Sequence, residues 1–111
     1  MSEELLKRRI EELANDAEQR DNAVALLSAL DGTALAELDI EDISVNSYTN
    51  AICIDWLASG EWDSIEVQIY PDHFETYLSR NLELRINHWP SEGQSTALEK
   101  VVEELLAGME S

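Results

Sequence analysis

Basic residues, cysteine, glycine and long apolar runs are all scarce in this 111-residue chain, and each scarcity removes a class of function. Seven lysines and arginines stand against 24 aspartates and glutamates, a formal net charge of −17. Such a field repels nucleic acid and anionic membranes, which bind basic surfaces. The single cysteine, Cys53, excludes an intramolecular disulfide framework. The four glycines form no phosphate-cradling loop, and no serine sits in a nucleophile-elbow sequence. No run approaches the roughly 18 apolar residues of a membrane-spanning helix. The opening "MSEELLKRRIEEL" is charged throughout, without an apolar core of signal-peptide length, so the expected compartment is the cytoplasm.

What is present argues for a folded domain. Hydrophobic residues make up 44% of the chain, so high charge does not here mean disorder. The length fits a single domain, residues 1–111, around one core. Charge is unevenly placed: four basic and six acidic residues precede Asp21, and three basic and 18 acidic residues follow from it. A basic partner would be drawn to such a surface. Solubility, or adaptation to high salt, is the plainer reading of the same charge.

The N-terminal third, residues 1–31, has helical spacing. Leu6, Ile10, Leu13, Ala17, Val24 and Leu27 recur in steps of four and three and share one stripe. Arg20 interrupts it, which leaves open one helix or a pair broken near "QRDN". Gly32 is placed to end the helix with a positive φ, and "TALAELDIEDI" reads as a connector.

From Ile43 the period becomes two, and short turns predict registers that check one another. A loop at Thr49-Asn50 sets Val45 opposite Ile54. "SGEW", with Gly60 first in a type II′ loop, sets Ile54 opposite Val67. "YPDH", with Pro71-Asp72 central in a type I turn, sets Val67 opposite Thr76. All three turns put the apolar residues on one face, an agreement that a one-residue slip destroys. The last hairpin, through "SRNL", has two candidate registers. A two-residue loop at Arg80-Asn81 sets His73 opposite His88 and mixes the faces. A three-residue loop, with Asn81 or its neighbour left-handed, sets Leu78 opposite Leu84 and Thr76 opposite Ile86. The apolar pattern favours the second.

Thr96 and Glu99 have capping-box spacing, and Leu98, Val101, Val102, Leu105, Leu106 and Met109 form one face of a helix over 96–107 that Gly108 can end. The expected fold is α+β. An N-terminal helix or helix pair, a five-stranded antiparallel meander over 43–89 and a C-terminal helix place the helices on one sheet face. Trp56, Ile54, Val67, Ile69, Phe74 and Leu84 are expected in the core.

The opposite face then collects the candidate partner-binding residues Asp55, Glu66, Tyr70, Glu75, Tyr77, Arg85 and Trp89. Tyr48, Cys53, Gln68, His73, Glu83 and Asn87 surround them. Aromatic rings supply contact area and carboxylates select a basic partner. Asp55 falls opposite Glu66, a like-charge pair, and Tyr77 falls near Arg85, where a ring can pack on the guanidinium. Asp55 and Glu66 could act as acid and base, but a flat sheet face offers no pocket to exclude water, so no enzyme is expected. In the favoured register His73 and His88 lie on opposite faces, and no Cys-x-x-Cys or His-x-x-x-His pattern exists. No metal or cofactor is therefore expected. The clusters Glu37, Asp39, Glu41, Asp42 and Glu99, Glu103, Glu104 lack calcium-loop spacing and add negative charge outside the sheet. Carboxylates spaced along a surface can also imitate phosphates.

In size, acidity and α+β pattern the chain is similar to immunity proteins, antitoxins and anti-restriction or anti-CRISPR inhibitors. The likeness is one of composition, covers no motif and carries no residue over. It implies a non-enzymatic protein that inhibits or neutralises a basic partner, a nucleic-acid-acting protein or complex, without itself binding nucleic acid or membrane. The alternative is a homodimeric or scaffold module whose acidity serves only solubility or high-salt adaptation.

Overall fold

In the computed structural model, which describes residues 3–31, 43–48, 50–57, 63–81, 83–90 and 94–109, the N-terminal stripe forms two helices. These are α1 (Glu3–Leu13) and α2 (Ala17–Leu30). The break falls at residues 14–16, ahead of "QRDN", because Asp16 caps the second helix. Its backbone is extended and its side chain accepts a hydrogen bond from the Gln19 backbone N–H at 2.8 Å. The interruption resets the helical phase. Leu6 and Ile10 of α1 and Ala23, Leu26, Leu27 and Leu30 of α2 are buried, whereas Ala17 and Arg20 are exposed.

Five antiparallel strands follow in sequential order: β1 (Ile43–Tyr48), β2 (Ala51–Leu57), β3 (Ser64–Ile69), β4 (His73–Arg80) and β5 (Glu83–Pro90). Then comes α3 (Gln94–Met109), which starts two residues before Thr96 and runs through Gly108. Val45 pairs with Ile54, Ile54 with Val67 and Val67 with Thr76, as the turn chemistry requires. Gly32, the connector over 32–42 and Gly60 lie outside the described residues. On the inner face Ile52, Ile54, Trp56, Ile65, Val67, Ile69, Phe74 and Leu78 are buried against Leu6, Ile10, Leu26, Leu27, Leu30, Val101 and Leu105 of the helices. Each such side chain stabilises the fold by about 1.5–3 kcal/mol.

Two buried amides fasten α2 to this sheet. Gln19 Nε2 donates to the carbonyls of Asn50 and Ile69, both at 2.8 Å, while its Oε1 accepts from the Asn15 N–H at 2.9 Å. Asn22 Nδ2 donates to the carbonyls of Tyr70 and Pro71 at 2.9 and 3.0 Å. Polar residues on the buried flank of a helix do not appear in a search for apolar stripes, so their role is visible only in the fold.

The last hairpin corrects the sequence-based expectation. Asn81 is left-handed, with φ 48°, but the loop holds two residues, 81 and 82, between paired Arg80 and Glu83. Leu78 therefore faces Arg85 rather than Leu84, and every β5 side chain lies on the face opposite to the one expected. Leu84 and Ile86 are 62% and 53% exposed. Glu83, Arg85, Asn87 and Trp89 turn to the helix side.

The cause is polar. Glu104 of α3, expected in a solvated cluster, is only 8% exposed. Arg85 Nε and Nη2 donate to its two oxygens at 2.9 and 3.1 Å, and Asn87 Nδ2 donates at 3.0 Å. Trp89 Nε1 donates to the buried Thr76 hydroxyl at 2.9 Å. Leaving a buried carboxylate and a buried hydroxyl unpaired would cost several kcal/mol, which offsets the burial forgone at Leu84 and Ile86.

These faces make opposite demands on two substitutions. Val67→Asp puts an unpaired charge into the apolar layer and is expected to cost on the order of the whole folding free energy, about 5 kcal/mol or more. Leu84→Asp should change stability by less than about 1 kcal/mol. Thermal melts followed by circular dichroism check both. An unchanged Tm for Val67→Asp contradicts the β3 register, and an unfolded Leu84→Asp contradicts that of β5.

Candidate functional site

Strand alternation composes the outer face. Cys53 and Asp55 of β2, Glu66 and Gln68 of β3, His73, Glu75 and Tyr77 of β4, and Leu84, Ile86 and His88 of β5 all point away from the helices. Cys53, Asp55, Glu66, Gln68, Tyr70 and Tyr77 line a hollow of ≈ 530 Å³. A pocketless face was expected. The hollow arises because the short, nearly buried Cys53 lies among longer side chains and leaves a depression between them.

A chain of polar contacts runs around the hollow. Asp55 stands directly opposite Glu66. Gln68 Nε2 donates to Glu66 Oε2 at 2.6 Å, and the Tyr70 hydroxyl donates to Gln68 Oε1 at 2.9 Å. Partial burial, a hydrogen bond with Glu66 and the charge of Glu66 together push the Asp55 pKa up to about 7. Burial and the two neighbouring carboxylates push the Cys53 thiol up to about 12, so it is not a ready nucleophile.

Beside the hollow lies a histidine cluster. The His73 ring is stacked on Tyr70 on one side, centroids 4.2 Å apart, and on His88 on the other, at 4.3 Å. Its Nδ1 is 2.7 Å from Asp72 Oδ1 and its Nε2 is 2.8 Å from Glu75 Oε2. The Tyr77 hydroxyl donates to Glu75 Oε1 at 2.5 Å. Burial opposes charge on His73, but the hydrogen bonds to Asp72 and Glu75 outweigh it and raise its pKa. Burial likewise opposes charge on Glu75, and the bonds from Tyr77 and His73 outweigh it and lower its pKa. His73, Glu75 and His88 each offer one ligand atom, all within 4.8 Å of one another. The expectation that the two histidines occupy opposite faces is thus overturned, by the same one-residue change of register that turned β5 over.

Of the candidate residues, Asp55, Glu66, Tyr70, Glu75 and Tyr77 come together on or beside this face. Arg85 and Trp89 do not. Both point to the helix side, and Tyr77 faces Ile86 instead of a guanidinium. Leu84, Ile86 and His88 are the outer-face residues that sequence reasoning missed. Asn81 gave no signal, because a left-handed asparagine suits the expected three-residue loop as well as the two-residue one. The side chain of Tyr48 and the cluster Glu37, Asp39, Glu41 and Asp42 lie outside the described residues.

Comparison with protein-family models, with curated proteins and with solved structures finds no match to this chain. Among the described residues, no helix is long and apolar enough to cross a membrane.

The Asp55 shift sets a pH dependence. Its pKa rises on folding from 3.8 to about 7, so the folded state holds a proton that the unfolded state releases. The resulting stabilisation is complete below about pH 4 and is lost as pH rises through 7. Urea unfolding should show Asp55→Asn gaining stability relative to the parent between pH 5 and pH 8. An equal difference at both pH values would contradict the shift.

Proposed function

We infer that the outer sheet face is a docking surface for a basic partner, and that the chain acts by occupying that partner rather than by catalysis. One observation carries this reading. Asp55 and Glu66 stand side by side in the hollow, and no lysine or arginine is found among the described strand residues that point outward. A guanidinium or ammonium group entering the hollow relieves the like-charge contact and places its flank against the rings of Tyr70 and Tyr77. Exposed Leu84 and Ile86 add apolar area beside the charged hollow, a combination that suits the core and rim of an interface. The net charge of −17 steers such a partner toward the chain. Nucleic-acid-acting proteins and complexes carry basic surfaces of this kind. The chain would neutralise one in the cytoplasm, in the manner of immunity, antitoxin or anti-defence inhibitors.

A second reading rests on β5. It stands at the edge of the sheet with Leu84 and Ile86 exposed, an arrangement that also favours pairing with a second copy. In that case the acidity serves solubility. Size-exclusion chromatography with light scattering separates the two: a dimer dispersed by Ile86→Asp supports self-association.

A charge-matched pair of variants tests the docking face. With a short arginine-rich peptide as probe, Asp55→Asn/Glu66→Gln is expected to weaken binding by about tenfold, ~1.4 kcal/mol. Glu99→Gln/Glu103→Gln removes the same formal charge from α3 and should weaken it by less than about twofold. Tyr77→Ala should follow the first pair. Equal losses from both double variants, with Tyr77→Ala unaffected, would instead mean that summed charge, as in phosphate mimicry, does the binding.

A further inference from the structure

The cluster beside the hollow has a chemistry of its own, independent of the partner reading. Glu75 is directly opposite His88 across the β4–β5 pair, and His73 lies two residues along the same face. His73 Nδ1 and Nε2 each lie against a carboxylate, at 2.7 and 2.8 Å, so in the neutral ring, where one nitrogen carries no proton, one acceptor faces another. Only a second ring proton or a cation makes that approach favourable. A carboxylate on Nδ1 is also the arrangement that fixes the tautomer and orientation of a metal-binding imidazole. Tyr77, donating to Glu75 Oε1, leaves Oε2 as the outward ligand atom.

From this geometry we infer a binding site for one divalent transition-metal ion of the zinc class, with His73 Nε2, Glu75 and His88 as ligands and Asp72 and Tyr77 as positioning residues. Two imidazoles and a carboxylate form a donor set for zinc-like ions, and water can complete four-coordination. Magnesium and calcium, which take oxygen ligands, have no such claim on it. The ligand atoms lie within 4.8 Å of one another, and four-coordinate zinc requires a spacing of about 3.3 Å, so His73 Nε2 and Glu75 Oε2, 2.8 Å apart, part slightly while the His88 nitrogen approaches. His88 supplies that movement: its ring is exposed, and it tilts out of the stack on His73 to aim a nitrogen at the ion. Cys53 takes no part, being buried two strands away.

On a chain of net charge −17 any cation accumulates, so the test must separate a built site from a diffuse atmosphere. The full chain is titrated with zinc chloride by calorimetry, and the imidazole signals of its two histidines are followed by NMR. Saturation at one ion per chain is expected, with both ring signals displaced. His88→Ala removes an exposed side chain, and Glu75→Gln preserves shape. Each should weaken zinc binding by at least about tenfold, with circular dichroism unchanged. Asp72→Asn should weaken it by about tenfold while both rings still respond, the mark of a positioning residue. Magnesium chloride at the same concentrations should leave the rings unmoved. The inference is overturned if zinc shows no saturable step, if only one ring responds, if magnesium displaces the same signals, or if His88→Ala and Glu75→Gln bind zinc as the parent does.

Discussion

A carboxylate withdrawn from water must find donors, and Glu104 of α3, buried beneath the end of the sheet, finds them on β5. The Arg85 guanidinium meets both of its oxygens and Asn87 adds a third bond. That requirement fixes which β5 side chains face inward, and alternation then decides which face outward. Leu84, Ile86 and His88 stand on the outer face because Arg85, Asn87 and Trp89 are engaged on the inner one. One buried acid thus governs the composition of a surface on the far side of the sheet. The aliphatic strip, the histidine stack and the absence of a guanidinium beside Tyr77 all follow from it.

The scaffold under that surface is held by a second set of buried polar groups. Gln19 and Asn22 bind carbonyls at Asn50, Ile69, Tyr70 and Pro71, so α2 grips the turn between β1 and β2 and the turn between β3 and β4. The latter turn carries Asp72 and leads into His73. A turn anchored to a helix by these amides holds Asp72 and His73 in place before any ligand arrives. Apolar burial supplies the bulk of the stability, while these amides and the Glu104 network choose how the elements sit.

On the outer face the charges are arranged differently. On the inner side Gln19, Asn22, Thr76 and Glu104 each have a hydrogen-bond partner, and among the described residues the buried Trp56 indole N–H has none. Outside, Asp55 and Glu66 face each other, and the described outward strand positions hold no lysine or arginine. Solubility needs acidic residues on a surface, but it does not need two of them paired in a hollow with tyrosines beside them. Burial and the facing Glu66 raise the Asp55 pKa, and a cation from elsewhere is what would relieve that contact. His73 receives the equivalent treatment from Asp72 and Glu75 a few residues away. The face therefore presents two adjacent places that favour positive charge, one suited to a side chain and one to an ion.

Much of this was legible in the chain itself. The period-two apolar pattern and three mutually consistent turns determined the registers of β1 through β4, because a one-residue slip in any of them would expose a row of isoleucines and valines. Asp55, Glu66, Glu75 and Tyr77 follow from that register alone. The helix break and the last hairpin were not determined in this way. Asp16 ends one helix and caps another through a local bond that competes with several equally plausible breakpoints nearby. For β5, Leu84 and Ile86 alternate with Arg85, Asn87 and Trp89 in both registers, and the apolar pair by itself favours the register that turns it inward, which is not the one adopted. Only the position of Glu104, brought over the sheet from 17 to 19 residues further along the chain, decided between them. Alternation records which residues share a face; which face is turned inward depends on what another element presents to it.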